Sequence, residues 1–425
     1  MKVDVEELSP IARKLKIEVE PQQVREALDR AYSQLSRQVK VPGFRPGHVP
    51  RRILEQRYRE HVEDDVVQSV VRRAYVAALD EKKIDPVGSP SVNAGKLTAD
   101  APYSFEATVE VKPVLAPKAY RELALKKSEQ AVDEAKVTDR LEAMRGRMGT
   151  LEPIEDRDTA QTGDYATLDY DGTVDGKTFP GGKAENITVE VADGELVEGK
   201  IPQLAGVKVG ETKEIDYTFP AEYPVEEIQG KAAHFKLSLK GIKKQVTPEL
   251  NDDFAKEVGG GETLEELKAK VRKELEESAK LEAEREEREA MIAALLEKNP
   301  FEAPQAMIDR ATDMMLDGAL RQFSRSGIDP RQLNLDFERL RAEMRPRAET
   351  EVKGTLLFEA IAEEEKIAPS DEEVDQKIAQ LAEQFQQPLH QVKKQFRSPE
   401  QREGLRLRLR EEKTVEFLRS HAKYS

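Results

Sequence analysis

Apolar residues recur along this chain with two periods, near 3.6 and near 2, and the switches between them predict its elements. Strand-like segments run from Ile11 to Glu20, with Ile17 and Val19, and from Tyr103 to Lys112. In the second, Phe105, Ala107, Val109 and Val111 alternate with polar neighbours, which buries one face. Between them, Pro21 opens a helical stripe of Val24, Ala27, Leu28, Ala31 and Leu35. Ile53, Leu54 and Tyr58 mark a short helix, and Val62, Val66, Val67, Val70, Val71 and Tyr75 mark another. Residues 1–112 therefore read as an α+β segment. Pro113 and Pro117 close it, and Ala116 to Leu125 reads as irregular linker. A helix over 132–149 follows, with Val132, Val137, Leu141 and Met144 on one face and Gly149 as its stop.

The pattern changes over residues 150–245. Turn signals fall at Asp171-Gly172, Asp175-Gly176, Gly181-Gly182, Asp193-Gly194 and Gly210. Three sets alternate between them: Ala166, Leu168, Tyr170; Ile215, Tyr217, Phe219; and Phe235, Leu237, Leu239. Each is one face of a half-buried strand in a compact β-rich module. Over 246–425 helical spacing returns. Thr263 with Glu266, and Ser370 with Glu373, fit capping boxes. Leu264, Leu267, Val271 and Leu275 start a helix that reaches about Leu296; a second runs from Pro304 to Phe323. A third spans Asp336 to Glu365 with a kink expected at Pro346, and a last one runs from Pro399 to Arg419. No fixed-period repeat is visible, which argues against a solenoid.

Composition narrows the function classes. The 425 residues are 36% charged and 38% hydrophobic, with 5% aromatics and no Trp, which predicts modest cores under a very polar surface. Cysteine is absent, so disulfides, thiolate metal sites and a cysteine nucleophile are excluded. Five scattered His with no i, i+4 pair suggest no metal. No P-loop motif is present, so no nucleotide and no other cofactor is expected. No apolar run approaches the ~20 residues of a membrane span, and MKVDVEELSP lacks the apolar stretch of an export signal; a cytoplasmic protein is expected. The net charge of −15 is uneven. Residues 1–112 carry 19 Lys+Arg against 18 Asp+Glu, which leaves −16 on the remainder. Such a chain suits docking on RNA at one point better than wrapping along it.

The most distinctive stretch is GFRPGHVP, from Gly43 to Pro50. Gly43 and Gly47 tolerate positive φ, and Pro46 and Pro50 fix φ, so the loop is stiff. Its tip holds Phe44 and Arg45. One reading is a helix–helix turn with Phe44 folded into the core. The other is a projecting hook for a phosphate-rich surface. From Arg37 to Arg59 the basic residues are Arg37, Lys40, Arg45, Arg51, Arg52, Arg57 and Arg59, with Glu55 the sole acid, and this favours the hook. The octapeptide resembles the ribosome-docking signature of the trigger factor family, bacterial chaperones of the peptide exit tunnel. That pattern is Gly-Phe-Arg-x-Gly followed by Pro, and Gly43, Phe44, Arg45, Gly47 and Pro50 match it. The variable position, usually basic, is Pro46 here, so one phosphate contact is missing.

The order α+β head, linker helix, β-rich module, helical tail is also that family's. The resemblance implies a multidomain α+β chain: a ribosome-binding α+β head (1–112), a linker with a helix (113–149), an FKBP-like peptidyl-prolyl isomerase domain (150–245), and an elongated all-α C-terminal chaperone body with arms (246–425). Within the β-rich module, LDYDGTVDGKTF, ELVEGKIPQLAGVKVGE, FPAEYP and AHFKLSL resemble FKBP-type isomerases. By that likeness Tyr170, Phe179, Leu196, Val197, Tyr223 and Phe235 line an apolar proline pocket that works without acid or base. Two positions depart from the pattern: Lys200 stands where a large aromatic forms the pocket floor, and Pro180 where an acid follows Phe179. They imply a shallower pocket with low turnover. Equally, these aromatics could be no more than the core of a small barrel.

The expected partners are the ribosome, protein and rRNA alike, through Gly43, Phe44, Arg45, Pro46 and Gly47; nascent and unfolded chains on the Met-containing helical tail (Met291, Met307, Met314, Met315, Met344); and a weak homodimer off the ribosome, with no membrane. The expected function is an ATP-independent, ribosome-associated chaperone that isomerises X-Pro bonds. The alternatives are a ribosome-docked holdase with an inactive isomerase fold and a stand-alone prolyl isomerase.

Overall fold

A computed structural model describes residues 1–42, 44–45, 47–95, 97, 101–126, 132–192, 201–219, 228–326 and 335–424. Its strands are β1 (Lys2–Ser9), β2 (Ala12–Val19), β3 (Ser91–Ala94), β4 (Tyr103–Glu110), β5 (Ala124–Leu125), β6 (Thr150–Pro153), β7 (Tyr165–Val174), β8 (Lys177–Glu190), β9 (Thr212–Thr218), β10 (Ala232–Val246) and β11 (Lys423–Tyr424). Its helices are α1 (Pro21–Gln38), α2 (Arg51–Lys82), α3 (Glu134–Arg147), α4 (Asp252–Glu257), α5 (Leu264–Lys298), α6 (Gln305–Arg325), α7 (Phe337–Glu364), α8 (Asp371–Gln384), α9 (Leu389–Gln395) and α10 (Pro399–His421). Two compact units form: Met1–Ser128 with Glu284–Ser425, and Glu129–Ala283. No described helix is long and apolar enough to cross a membrane.

In the first unit an antiparallel sheet of order β1-β2-β4-β3 packs one face on α1 and α2. Alternation places Leu15, Ile17 and Val19 of β2 beside Tyr103, Phe105, Ala107 and Val109 of β4. They meet Val24, Leu28 and Tyr32, spaced by four on α1, and Leu54, Val62, Val66, Val70, Ala74 and Ala78 on α2. The strand β1 carries no alternation, because it is an edge with only Val3 buried. Tyr58 (φ −129°, ψ 16°) breaks α2 into two helices, the division expected from the apolar spacing.

Of the remaining helices of this unit, α5, α7 and α10 share a core with the segment that reads as linker in the sequence. Tyr120, Leu123 and Leu125 are buried with Met291, Ile292, Leu295, Leu357, Phe358, Ile361 and Leu418. The short β5 pairs in parallel with β11, so Ala116 to Leu125 is part of the helical body and not a free connection. The expected kink at Pro346 has no counterpart in a break: α7 runs through it. Pro346 and Ala342 are both exposed. The carbonyl four residues back, which loses its donor to the proline, can therefore turn to water. Ser370 and Glu373 form a complete capping box.

The same strands of β1–β4 reach the start of α6. The Ala306 N–H donates to Glu110 Oε2 at 2.7 Å, and Arg310 Nη2 donates to the Val87 carbonyl at 3.2 Å. Gly88 sits so close that a Cβ there would lie 2.5 Å from Ala306 Cβ.

In the second unit, β10 is the central strand. Its one edge pairs with β7, and β7 with β8; its other edge pairs with β9 over Ala232–Ser238 and with β6 over Lys243–Val246. Ala166, Leu168, Val189, Leu204, Ile215, Leu237 and Leu239 form the core of this module. A separate cluster joins Val137 and Leu141 of α3 to Phe254, Ala255, Leu267 and Val271. The Thr263 cap is half a box: its hydroxyl accepts the Glu266 N–H at 3.3 Å, whereas the Glu266 carboxylate accepts from Glu262.

Candidate functional site

The loop between α1 and α2 is pinned at both ends and bare at its tip. Val41 and Val49 are buried on either side of it. Within it the Phe44 N–H donates to the Val41 carbonyl (3.1 Å) and the His48 N–H to the Arg45 carbonyl (3.0 Å). Gly47 has φ +85° and donates its N–H to the Ser36 carbonyl of α1 at 2.8 Å. A Cβ on Gly47 would meet nothing within 4 Å, so backbone conformation, not space, selects glycine there. Phe44 keeps 40% of its surface exposed and Arg45 is exposed. The ring is therefore not folded into the head. Gly43 and Pro46 lie outside the described residues.

The basic residues divide into two groups. Arg51 is paired with Asp29 and with Glu55 (2.7 Å) and lies over the Tyr32 ring at 5.0 Å; these carboxylates, Glu55 foremost, hold its pKa above the usual value. Arg59 is paired with Glu63 at 2.8 Å, which likewise raises it. Arg37, Lys40, Arg45, Arg52 and Arg57 are exposed and have no carboxylate partner among the described residues. Five exposed cations without a carboxylate partner, on the loop that carries an exposed phenyl ring and on the helix ends that flank it, make a surface that a polyanion can approach.

A second site sits in the β-rich module. Cross-strand register sets Phe235 of β10 opposite Gly172 of β7 and Ile215 of β9, with Leu237 opposite Tyr170 and Ala233 opposite Tyr217. All these side chains share one face of the sheet. Phe235 is the hub of the rings: its centroid is 5.9 Å from Tyr170, 6.1 Å from Phe179 and 6.3 Å from Phe219, each near edge-on. Phe179 also meets Phe219 at 5.8 Å, and Tyr217 meets Phe219 at 5.1 Å. Each such pair contributes about 0.5–1.5 kcal/mol beyond area burial. Phe219 is buried, whereas Tyr170, Phe179, Tyr217 and Phe235 are half-buried and can present ring surface to a ligand. The Tyr170 hydroxyl donates to the Gly181 carbonyl at 2.8 Å.

Of the six residues expected to line a proline pocket, the structure thus brings three together: Tyr170, Phe179 and Phe235. Leu196, Val197 and Tyr223, and also Lys200, lie outside the described residues. Tyr217 and Phe219 belong to the ring cluster and were not among the expected pocket residues. Their signal was the Ile215, Tyr217, Phe219 alternation, which reads equally as core.

The methionines of the tail separate by burial. Met291 is fully buried in the helical core and cannot meet a client there, whereas Met314 is 66% exposed. Phe323, Phe337, Phe385, Leu389 and Leu407 are further exposed apolar residues of the helical tail.

Comparison with known proteins gives the family of the chain. Family models match in three segments: bacterial trigger factor protein over residues 1–144, FKBP-type peptidyl-prolyl cis-trans isomerase over 156–240, and the bacterial trigger factor C-terminus over 263–420. Trigger factor of Anaeromyxobacter sp. (strain Fw109-5) is 44% identical over 425 residues, covering 99% of both chains. That of Anaeromyxobacter dehalogenans (strain 2CP-C) is 42% identical with the same coverage. A solved structure of the trigger factor chaperone spans 98% of this chain and 99% of its own at 24% identity, with a TM-score of 0.47. With relatives this similar from end to end, the chain belongs to the bacterial trigger factor family.

Proposed function

We propose that this protein is a ribosome-associated, ATP-independent chaperone that receives nascent chains at the exit tunnel and catalyses cis/trans isomerisation of X-Pro bonds. Residues 1–112 dock, residues 150–245 isomerise, and the helices of 246–425 receive clients on exposed apolar side chains such as Met314 and Phe385. It acts in the cytoplasm, and off the ribosome it forms a weak homodimer.

The observation that carries docking is the pinned loop with Phe44 and Arg45 held in solvent amid unpaired cations. The ring supplies an apolar anchor, and Arg45, Arg37, Lys40, Arg52 and Arg57 supply charge for rRNA at the docking point. A few such residues dominate most interfaces. Phe44→Ala with Arg45→Ala is expected to abolish most co-sedimentation with bacterial ribosomes, and wild-type binding is expected to weaken as salt rises. Unchanged co-sedimentation of the double variant would refute the assignment.

Isomerisation has to turn a peptide bond through a barrier of about 18–20 kcal/mol set by amide resonance. Twisting the bond removes the charge separation of the planar amide. A dry pocket of rings therefore favours the twisted form over the planar one, which lowers the barrier without a protein nucleophile or proton donor. Tyr170, Phe179 and Phe235, with Leu196, Val197 and Tyr223, are the lining of that pocket, joined by Tyr217. The Tyr170 hydroxyl, already bonded to Gly181, acts by fixing the wall and not by donating to substrate.

A further inference from the structure

We propose that Gly172 is a positioning residue of the isomerase pocket, an inference that rests on the isomerase reading above. In the ladder between β7 and β8, Asp171 faces Lys183 but Thr173 faces Thr178, so one residue of β7, Gly172, stands against a bulge of β8 containing residues 179–182. That bulge carries Phe179. On its other side Gly172 is opposite Phe235.

Space, not conformation, selects glycine at this position. Gly172 is not among the positive-φ glycines, so its backbone would accept alanine. A Cβ would however lie 2.4 Å from Phe235 Cε1 and 2.6 Å from Cδ1, with the Gly182 carbonyl oxygen at 3.1 Å. Carbon atoms do not approach so closely, so the Cδ1–Cε1 edge of the Phe235 ring takes the place a methyl group would fill. Gly182 continues the same feature across the bulge: a Cβ there would lie 2.9 Å from the Gly172 carbonyl oxygen and 3.1 Å from Phe179 Cε1. Two facing glycines thus let two pocket rings settle against the sheet, and Phe235 touches three other rings. Displacing it displaces the surface on which a proline would sit, and small misplacements of that kind cost much activity.

The test uses the full chain and a proline-containing peptide. Gly172→Ala is expected to lower kcat/KM at least ten-fold while ribosome co-sedimentation stays unchanged. Phe235→Leu is expected to lower it as well. Combining them is the decisive measurement: leucine leaves room for the methyl group, so the double variant should stay within about three-fold of Phe235→Leu alone, the signature of two residues acting through one contact. This comparison stands even where the single alanine variant folds poorly. Gly172→Ala with wild-type kcat/KM, or a further ten-fold loss in the double variant, would overturn the role of Gly172 while leaving the isomerase reading intact. A wild-type chain without isomerase activity would overturn both.

Discussion

The contact between Glu110 and the start of α6 offers a quantitative test of how the β1–β4 sheet and the helical body hold together. The first N–H groups of a helix have no partner within it. Here the N-cap residue is Pro304, which supplies no side-chain acceptor. Glu110, at the end of β4 and 196 positions away in sequence, accepts the Ala306 N–H at 2.7 Å instead. A side-chain cap contributes about 0.5–2 kcal/mol, and a negative charge at a helix N-terminus about 0.3–1 kcal/mol. Glu110→Ala removes both from a part-buried position, for an expected loss of about 1–2 kcal/mol. Glu110→Gln keeps an oxygen acceptor and loses only the charge, so about 0.3–1 kcal/mol is expected. The readout is amide hydrogen exchange at Ala306 in the full chain. A loss of about 1–2 kcal/mol corresponds to a fall in protection by a factor of roughly 5–30, confined to the first turn of α6, with the glutamine variant in between. Protection at Ala306 within two-fold of wild type in the alanine variant would show that the carboxylate contributes nothing to the junction, and the capping account would fail.

Two further predictions concern the β-rich module. His234 Nδ1 lies 2.7 Å from Asp216 Oδ1, with Glu214 3.6 Å from Nε2, and the bond to Asp216 is the main reason its pKa is raised above 6.5. The stabilisation is therefore complete below about pH 6.5 and fades as pH rises through the raised value; an NMR titration of the imidazole that returns 6.5 or lower would contradict this. Tyr170→Phe removes the donor to the Gly181 carbonyl, with an expected loss of about 0.5–1.5 kcal/mol in urea unfolding of the module and a few-fold drop in isomerase activity. If neither quantity changes, the hydroxyl is not what holds that wall.

The sequence disclosed most where a local rule and the tertiary environment agree. Pro21 opens α1, Ser370 and Glu373 close a capping box, and the Phe105, Ala107, Val109 alternation lies on the buried face of β4. The exposed Phe44 followed from loop stiffness and local charge. What stayed hidden depends on neighbours distant in sequence. An edge strand such as β1 has one buried residue, so no alternation betrays it. The segment with Tyr120, Leu123 and Leu125 looked like linker because the helices that bury it come more than 150 residues later. Tyr217 and Phe219 were visible as a strand face, yet only the register with β10 gathers them around Phe235. Glycine 172 read as a turn signal, and its crowding by a ring is invisible without coordinates.

The pairing of β5 with β11 has a consequence for biogenesis. The Lys423 N–H meets the Leu123 carbonyl at 2.8 Å, and Lys423 pairs with Glu122 across 301 positions. At about 5–20 residues per second, translation takes roughly 15–60 s to cross that gap. For more than half of this interval Tyr120 and its apolar neighbours have been made but the first of their covering residues, Met291, has not, and Leu418 arrives only at its end, whereas Glu129–Ala283 is continuous and can close as soon as it is made. A molecule that shelters unfinished polypeptides thus begins life as one, its own body waiting open until translation delivers the matching strand.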